Sequence, residues 1–285
     1  MPELRLHQSL WATELRRPGV PETPVEARFE QVAADGWDGM TIDLGAMDLA
    51  AARATVPFFA RYGLEGGLTA FPRAIDDLRP AIGLAKDIGA PFVVIVGQVM
   101  PVGLEGSVGV VREWLRIGRE EGMPLQFETH RASITNDLFA TLQLIDAVPE
   151  MRLACDLSHY VVDREMIPPL SEEMSLQISR ILARCDSFQG RVASRNQIQV
   201  QLDFPQHAKW LRLFEGWWRE GFSRWRARAG EADRLVFLSE LGPTEYAITD
   251  ATGAELSDRR LEALTLRDLA RRLWAETAPS PAVPE

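Results

Sequence analysis

The stretch Leu125-Gln126-Phe127-Glu128-Thr129-His130-Arg131 alternates apolar and polar residues and ends in an acid, an imidazole and a guanidinium. Side chains of an extended segment alternate with period two, so Gln126, Glu128 and His130 share one face. A solvated edge strand and a catalytic rim both read this way. Two more apolar runs end in acids: Leu153-Ala154-Cys155 in Asp156, with His159 three positions on, and Leu235-Val236-Phe237-Leu238-Ser239 in Glu240. A lone carboxylate at the end of a buried run is costly unless it is paired or binds a cation. Three such acids at one end of a common sheet require a counter-charge, and a divalent metal is the economical one. Glu128 by itself could pair with Arg131 or Arg191, His159 by itself could cap a helix, and His7 could be a satisfied core histidine. Gln189 and Arg191 share a face of a further run.

The elements that must position these groups follow a repeating order. Strand candidates are Leu4–Leu10, Gly39–Leu44, Leu64–Phe71, Pro91–Gln98, Pro124–His130, Arg152–Ser158, Ser187–Ala193 and Arg234–Glu240. They are short and rich in Val, Ile, Leu and Phe, as buried strands are. Helical patterns lie between them at Pro24–Ala34, Leu49–Tyr62, Asp76–Ile88, Val108–Glu121, Asp137–Val148, Glu172–Cys185, Ala208–Ala229 and Leu261–Glu276. Gly36, Gly63, Gly89 and Gly122 stand where helix C-termini are expected. Eight strand–helix pairs predict a parallel sheet closed into a (β/α)8 TIM barrel over residues 1–276, with an open sheet as the alternative. The Pro-rich tail 277–285 reads as disordered. In such a barrel the site lies at the C-terminal strand ends. Glu128, His130, Asp156, His159 and Glu240 fall there, and Trp11 follows the first strand onto the same rim, where an aromatic can stack on a sugar face. The loop 194–206 reads either as a lid or substrate wall or as a variable surface loop. Trp210, Trp217, Trp218 and Trp225 recur at roughly helical spacing, which predicts helix packing or an oligomer contact. A homo-oligomer is therefore left open.

The totals exclude several functions. A net charge of −10, with only two lysines, argues against nucleic acid as a partner. No basic leader with an apolar core and no apolar run of spanning length is visible, so neither export nor a membrane is expected and the cytoplasm is the default location. Cys155 and Cys185 lie in apolar surroundings without a CxxC spacing, which predicts buried free thiols.

The series Phe127-Glu128-Thr129-His130-Arg131, Cys155-Asp156-Leu157-Ser158-His159-Tyr160, Phe188-Gln189-Gly190-Arg191-Val192 and Leu238-Ser239-Glu240-Leu241-Gly242-Pro243 resembles strands five to eight of the xylose isomerase-like TIM barrel superfamily. More narrowly it is similar to the sugar phosphate isomerase/epimerase group, which includes ketose 3-epimerases. The resemblance implies one Mn²⁺ or Mg²⁺ held by Glu128, Asp156, the residue at 189 and Glu240. It also implies a carbohydrate-like small-molecule substrate contacted by His159 and Arg191, and proton exchange by Glu128 and Glu240. His7, Trp11 and Arg131 are further substrate-binding candidates. The pattern departs at Gln189, where the family has a histidine; an amide oxygen still ligates a hard cation, though more weakly than imidazole. Relatives that cleave C-glycosides or eliminate from keto sugars are similar around His130, which makes a lyase with His130 as base the second expectation. A ligand-binding barrel whose metal site has decayed at Gln189 is the third. Endonuclease IV shares the fold but needs more histidines than the four present.

Overall fold

The computed structural model describes residues 2–278, so most of the expected tail lies outside the described residues. Eight strands are present: β1 Glu3–Ser9, β2 Gly39–Asp43, β3 Glu65–Ala70, β4 Val93–Ile95, β5 Leu125–Glu128, β6 Leu153–Cys155, β7 Cys185–Gly190 and β8 Arg234–Ser239. Each pairs in parallel with its successor, and β8 returns to β1, so the sheet is a closed (β/α)8 barrel. The helices are α1 Val25–Ala34, α2 Leu49–Ala54, α3 Val56–Tyr62, α4 Leu78–Asp87, α5 Leu104–Glu121, α6 Leu138–Ala147, α7 Ser158–Asp163, α8 Glu172–Leu182, α9 Ala208–Arg226 and α10 Arg259–Glu276.

Local chemistry sets these boundaries. The carboxylates of Asp48, Asp137 and Asp258 and the hydroxyl of Ser171 accept backbone N–H groups in the first turns of α2, α6, α10 and α8. Gly63 and Gly122 close α3 and α5 in left-handed conformations that a side chain would strain. The expected helix Leu49–Tyr62 is two helices, because Pro57 has no N–H to donate back to the preceding turn and the chain restarts at Thr55. The expected helix through Cys185 stops at Leu182, and Cys185 instead opens β7.

The barrel interior is layered. Ser187 Oγ donates to Gln126 Oε1, and one pleat higher Gln189 Nε2 donates to Glu128 Oε2 at 2.8 Å. Arg191 sits above Gln189 on the same face of the chain. The outward residues Phe127, Phe188 and Phe237 pack under the helices and are fully buried. The tryptophans of α9 belong to this layer: Trp210, Trp217, Trp218 and Trp225 are buried, with Trp218 edge-on to Phe237 at 5.2 Å. At the seam of the barrel Arg259 of α10 donates to the carbonyls of Ala12 and Glu14 as well as to Glu255, binding the segment after β1 to the last helix.

Close approach of α9 to β7 depends on Gly221, where a Cβ would stand 2.4 Å from the Phe188 ring. That ring is locked against Phe222 at 5.3 Å. Gly221→Ala is therefore expected to destabilise the fold by about 1–3 kcal/mol through overpacking. Urea unfolding should show a lower midpoint at unchanged m-value.

Candidate active site at the barrel mouth

The carboxyl-terminal strand ends surround a pocket of about 220 Å³ whose lining includes Trp11, Asp43, Phe71, Glu128, His130, Arg191, Glu240 and Tyr246. Glu128 ends β5, Asp156 follows β6 and Glu240 follows β8. One oxygen from each of these three acids lies within 4.8 Å of the other two, and all three residues are buried. Asp156 is held from its own chain, since Oδ1 accepts the Ser158 N–H at 2.9 Å at the start of α7.

Arg191 stands among these acids. Its Nη1 donates to Asp156 Oδ2 at 3.0 Å and its Nη2 lies 3.1 Å from Glu240 Oε2. Its Nε donates to the Glu240 carbonyl at 2.9 Å. The guanidinium is buried, 4.8 Å from the Tyr246 ring centroid and 5.9 Å from that of Trp11. Burial opposes its charge, but Asp156 and Glu240 outweigh burial and hold it protonated. The counter-charge inferred from the sequence is thus supplied in part by the chain itself.

One guanidinium does not neutralise three carboxylates. Burial pushes Glu128 well above the usual carboxylate range, reinforced by the charges of Glu240 and Asp156. Burial, opposed by Arg191 and reinforced by Asp156 and Asp43, lifts Glu240 to about 8. Asp43, at the end of β2, is raised by burial to about 6, with the Gly45 and Ala46 amides opposing.

The two mouth histidines are neutral. Their rings lie 4.1 Å apart between centroids. Burial, with the neighbouring His159, lowers His130 to about 2, and burial places His159 well below the ordinary imidazole value. His130 Nδ1 accepts the Ala132 N–H at 3.1 Å, so the ring proton of the neutral form is on Nε2. His159 Nε2 lies 3.4 Å from Asp156 Oδ2, and both of its ring nitrogens are buried without a hydrogen-bond partner among the described residues.

The structure brings together Glu128, Asp156, Gln189, Glu240, Arg191, His130, His159 and Trp11. Arg131 is exposed at the rim, where its Nη2 lies 3.3 Å from the Tyr246 hydroxyl. His7 requires a correction. It lies inside the barrel, with Nδ1 3.3 Å from Thr41 Oγ1 and Nε2 3.7 Å from Glu65, the first residue of β3. Its side chain is thus directed to the end of the barrel opposite the mouth and does not line the mouth pocket. His207 is also outside the mouth, stacked on Phe204 and bonded to the Gln201 carbonyl at 2.8 Å. The loop 194–206 does not line the mouth pocket; its Gln199 exchanges two hydrogen bonds, of 3.0 and 2.7 Å, with the Gly242 backbone and so braces the segment after β8.

Asp43 and Tyr246 were not singled out in the sequence. Asp43 ends an apolar run in the same way as Asp156, so the strand-end rule applied to all eight strands would have found it. Tyr246 carries no such signal, because its place depends on the fold of the loop after β8.

Among solved structures the chain resembles D-allulose 3-epimerase from Methylomonas sp., at 15% identity over 98% of this chain and 99% of that one, with a TM-score of 0.56. It also resembles a xylose isomerase domain protein from Planctomyces limnophilus, at 10% identity over 96% and 98% of the two chains and a TM-score of 0.55. A third is the probable 3-DHS dehydratase AsbF from Bacillus anthracis, at 12% identity over 94% and 98% and a TM-score of 0.52. No family model matches the chain, and no curated protein matches it. At these identities the likeness is one of fold.

Proposed function

We propose that the protein is an isomerase or epimerase of a small, sugar-like hydroxyketone, dependent on one divalent cation, Mn²⁺ or Mg²⁺. The observation that carries this reading is the convergence of Glu128, Asp156 and Glu240 within 4.8 Å, with Glu128 and Glu240 lining the mouth pocket. The donor set fits a hard divalent ion. Three carboxylates and one guanidinium sum to a formal charge of −2, which such an ion offsets, and all the oxygens suit it. Gln189 Oε1 is buried without a hydrogen-bond partner among the described residues, as a group awaiting a ligand would be. Glu128, Asp156, Gln189 and Glu240 would hold the ion, which when bound acts as a Lewis acid toward substrate oxygens.

The remaining chemistry belongs to the chain. Glu128 and Glu240 enter from β5 and β8 and have proton affinities raised above the usual carboxylate range, as an acid–base role requires. One takes the proton from the carbon beside the carbonyl, the electron pair moves onto the carbonyl oxygen, and the other returns a proton to the opposite face. Arg191 fixes Asp156 and Glu240 in place. His130 offers its Nε2–H to a substrate oxygen as a hydrogen bond. Trp11, Phe71 and Tyr246 enclose the apolar face of the substrate, with Trp11 and Tyr246 edge-on at 5.1 Å. Arg131 and the Tyr246 hydroxyl receive its outer end. The alternative of elimination with His130 as base is disfavoured, because its Nδ1 lone pair is engaged by Ala132 and its pKa is near 2.

Incubation with a panel of ketoses and Mg²⁺ in D₂O tests this reading. Deuterium should enter the epimerised carbon of at least one sugar, seen by NMR, and Glu128→Gln should abolish the exchange. Absence of exchange with every ketose, with or without Mg²⁺ or Mn²⁺, would overturn it.

The raised acids predict a pH signature. Glu240 binds its proton more tightly folded than unfolded, so between about 4.5 and 8 the folded metal-free protein holds more protons and its stability falls as pH rises. Depressed His130 has the opposite slope, but only below about 6.5. From pH 6.5 to 8 the melting temperature of the metal-free protein is therefore expected to fall. Mg²⁺ or Mn²⁺ should raise it more at pH 8 than at pH 6.5, with proton release on loading measurable by calorimetry in buffers of different ionisation heat.

A further inference from the structure

We propose that the cleft between the segment after β1, α1 and α10 is a second ligand site, for a small uncharged hydroxylated molecule. The cleft holds about 390 Å³, more than the mouth, and within the range of small-molecule sites. Its inner wall contains Gln8 of β1. The alternation of β1 places His7 inside the barrel, so Leu4, Leu6 and Gln8 face the helices. Gln8 is the one polar residue of that row. It is 6% exposed, and its Oε1 is buried without a hydrogen-bond partner among the described residues. A polar group in that position is costly unless something satisfies it. The cleft meets the small accessible edge of Gln8, so a ligand there would reach the oxygen once the amide turns.

The walls define the ligand. Val32, Trp37 and Ala263 form a buried apolar side, and Leu15 and Val20 form a lip in which both are about two-fifths exposed. The lining charges are already engaged. Arg259 is bound to Glu255 at 2.8 Å, Arg260 pairs with Asp35, and Asp258 accepts the Leu261 N–H at 3.0 Å. Arg17, exposed at the lip, is the exception among the described residues. A net anion or cation would therefore find little unspent charge inside. A hydroxyl suits Gln8 in either amide orientation, since it both donates and accepts. A cyclic polyol presents C–H groups to the apolar side and hydroxyls to Gln8.

The two sites share their partition. Trp11 lines the mouth while Ala12 and Thr13 line the cleft. Tyr246 lines the mouth while Gly253 and Ser257, further along the same loop, line the cleft.

The test uses myo-inositol, which has no carbonyl and so is no substrate for the mouth chemistry. Saturation-transfer NMR should show saturable binding to the wild type and to Glu240→Gln, and about tenfold weaker binding to Gln8→Met, the loss of one hydrogen bond. Gln8→Met should melt at the same temperature or higher, because an unsatisfied amide is replaced by an apolar chain of similar length. In the wild-type ¹H–¹⁵N spectrum, inositol should shift Ala12, Thr13, Gly253 and the Trp37 indole. Binding unchanged in Gln8→Met, binding lost in Glu240→Gln, shifts centred elsewhere, no binding to the wild type, or a lower melting temperature of Gln8→Met would each overturn the proposal.

Discussion

Glu240→Gln is expected to lower kcat for the responsive ketose by about 10³-fold or more, because on the proposed reading it removes an acid–base group and weakens a metal ligand together. The substitution keeps shape and burial. It also removes a charge that burial resists, since the wild-type carboxyl is lifted to about 8. The metal-free variant should therefore be no less stable than the wild type at pH 8.5, and should show a shallower fall in melting temperature between pH 6.5 and 8, since Glu128 is raised as well. Steady-state kinetics and a pH series of thermal melts check both halves. A variant with near wild-type kcat would remove Glu240 from the chemistry, and one that melts far below the wild type at every pH would make it structural.

Arg191→Met carries the largest expected effect on stability. The guanidinium holds Asp156 at 3.0 Å and Glu240 at 3.1 Å, and no other Arg or Lys pairs with either acid among the described residues. Removing one partner of a buried ionic cluster typically costs about 3–5 kcal/mol, because the charges left behind cannot be hydrated. In a domain of this size that is a fall in melting temperature on the order of 10 °C. The loss should be smaller at pH 6 than at pH 8.5, since at lower pH Glu240 can take up a proton instead. Added Mn²⁺ should recover part of the loss. Denaturation of the variant at both pH values, with and without metal, measures each effect.

Much of the barrel could be read from the chain because burial on both faces leaves a plain mark. Runs such as Val93-Val94-Ile95 and Leu235-Val236-Phe237-Leu238 are apolar throughout, and Gly63 and Gly122 stop helices for a steric reason. The acids at 128, 156 and 240 stood out because carboxylates rarely end such runs without a role. The pairing of Asp156 and Glu240, rather than Glu128, with Arg191 did not, because alternation gives the face of a residue and not its neighbours across the barrel. His7 shows the same gap. It pairs with Gly39, the first residue of β2, on one side and with Leu238, near the end of β8, on the other. The stagger of a closed sheet sets the height of each residue, and no single strand reveals it. The short helix 158–163 escaped notice because its start is fixed by a carboxylate from the preceding strand end rather than by an apolar period.

The three contacts of Arg259 bear on how the chain matures during synthesis. Its residue emerges from the ribosome after all eight strands, yet it grips carbonyls only a few positions past the first of them. The rim beside Trp11 therefore cannot take its finished shape while α10 is still being translated. Nascent chains already rich in barrel structure would lack a competent entrance, and ligand capture would begin only when the ring is fastened from its far end.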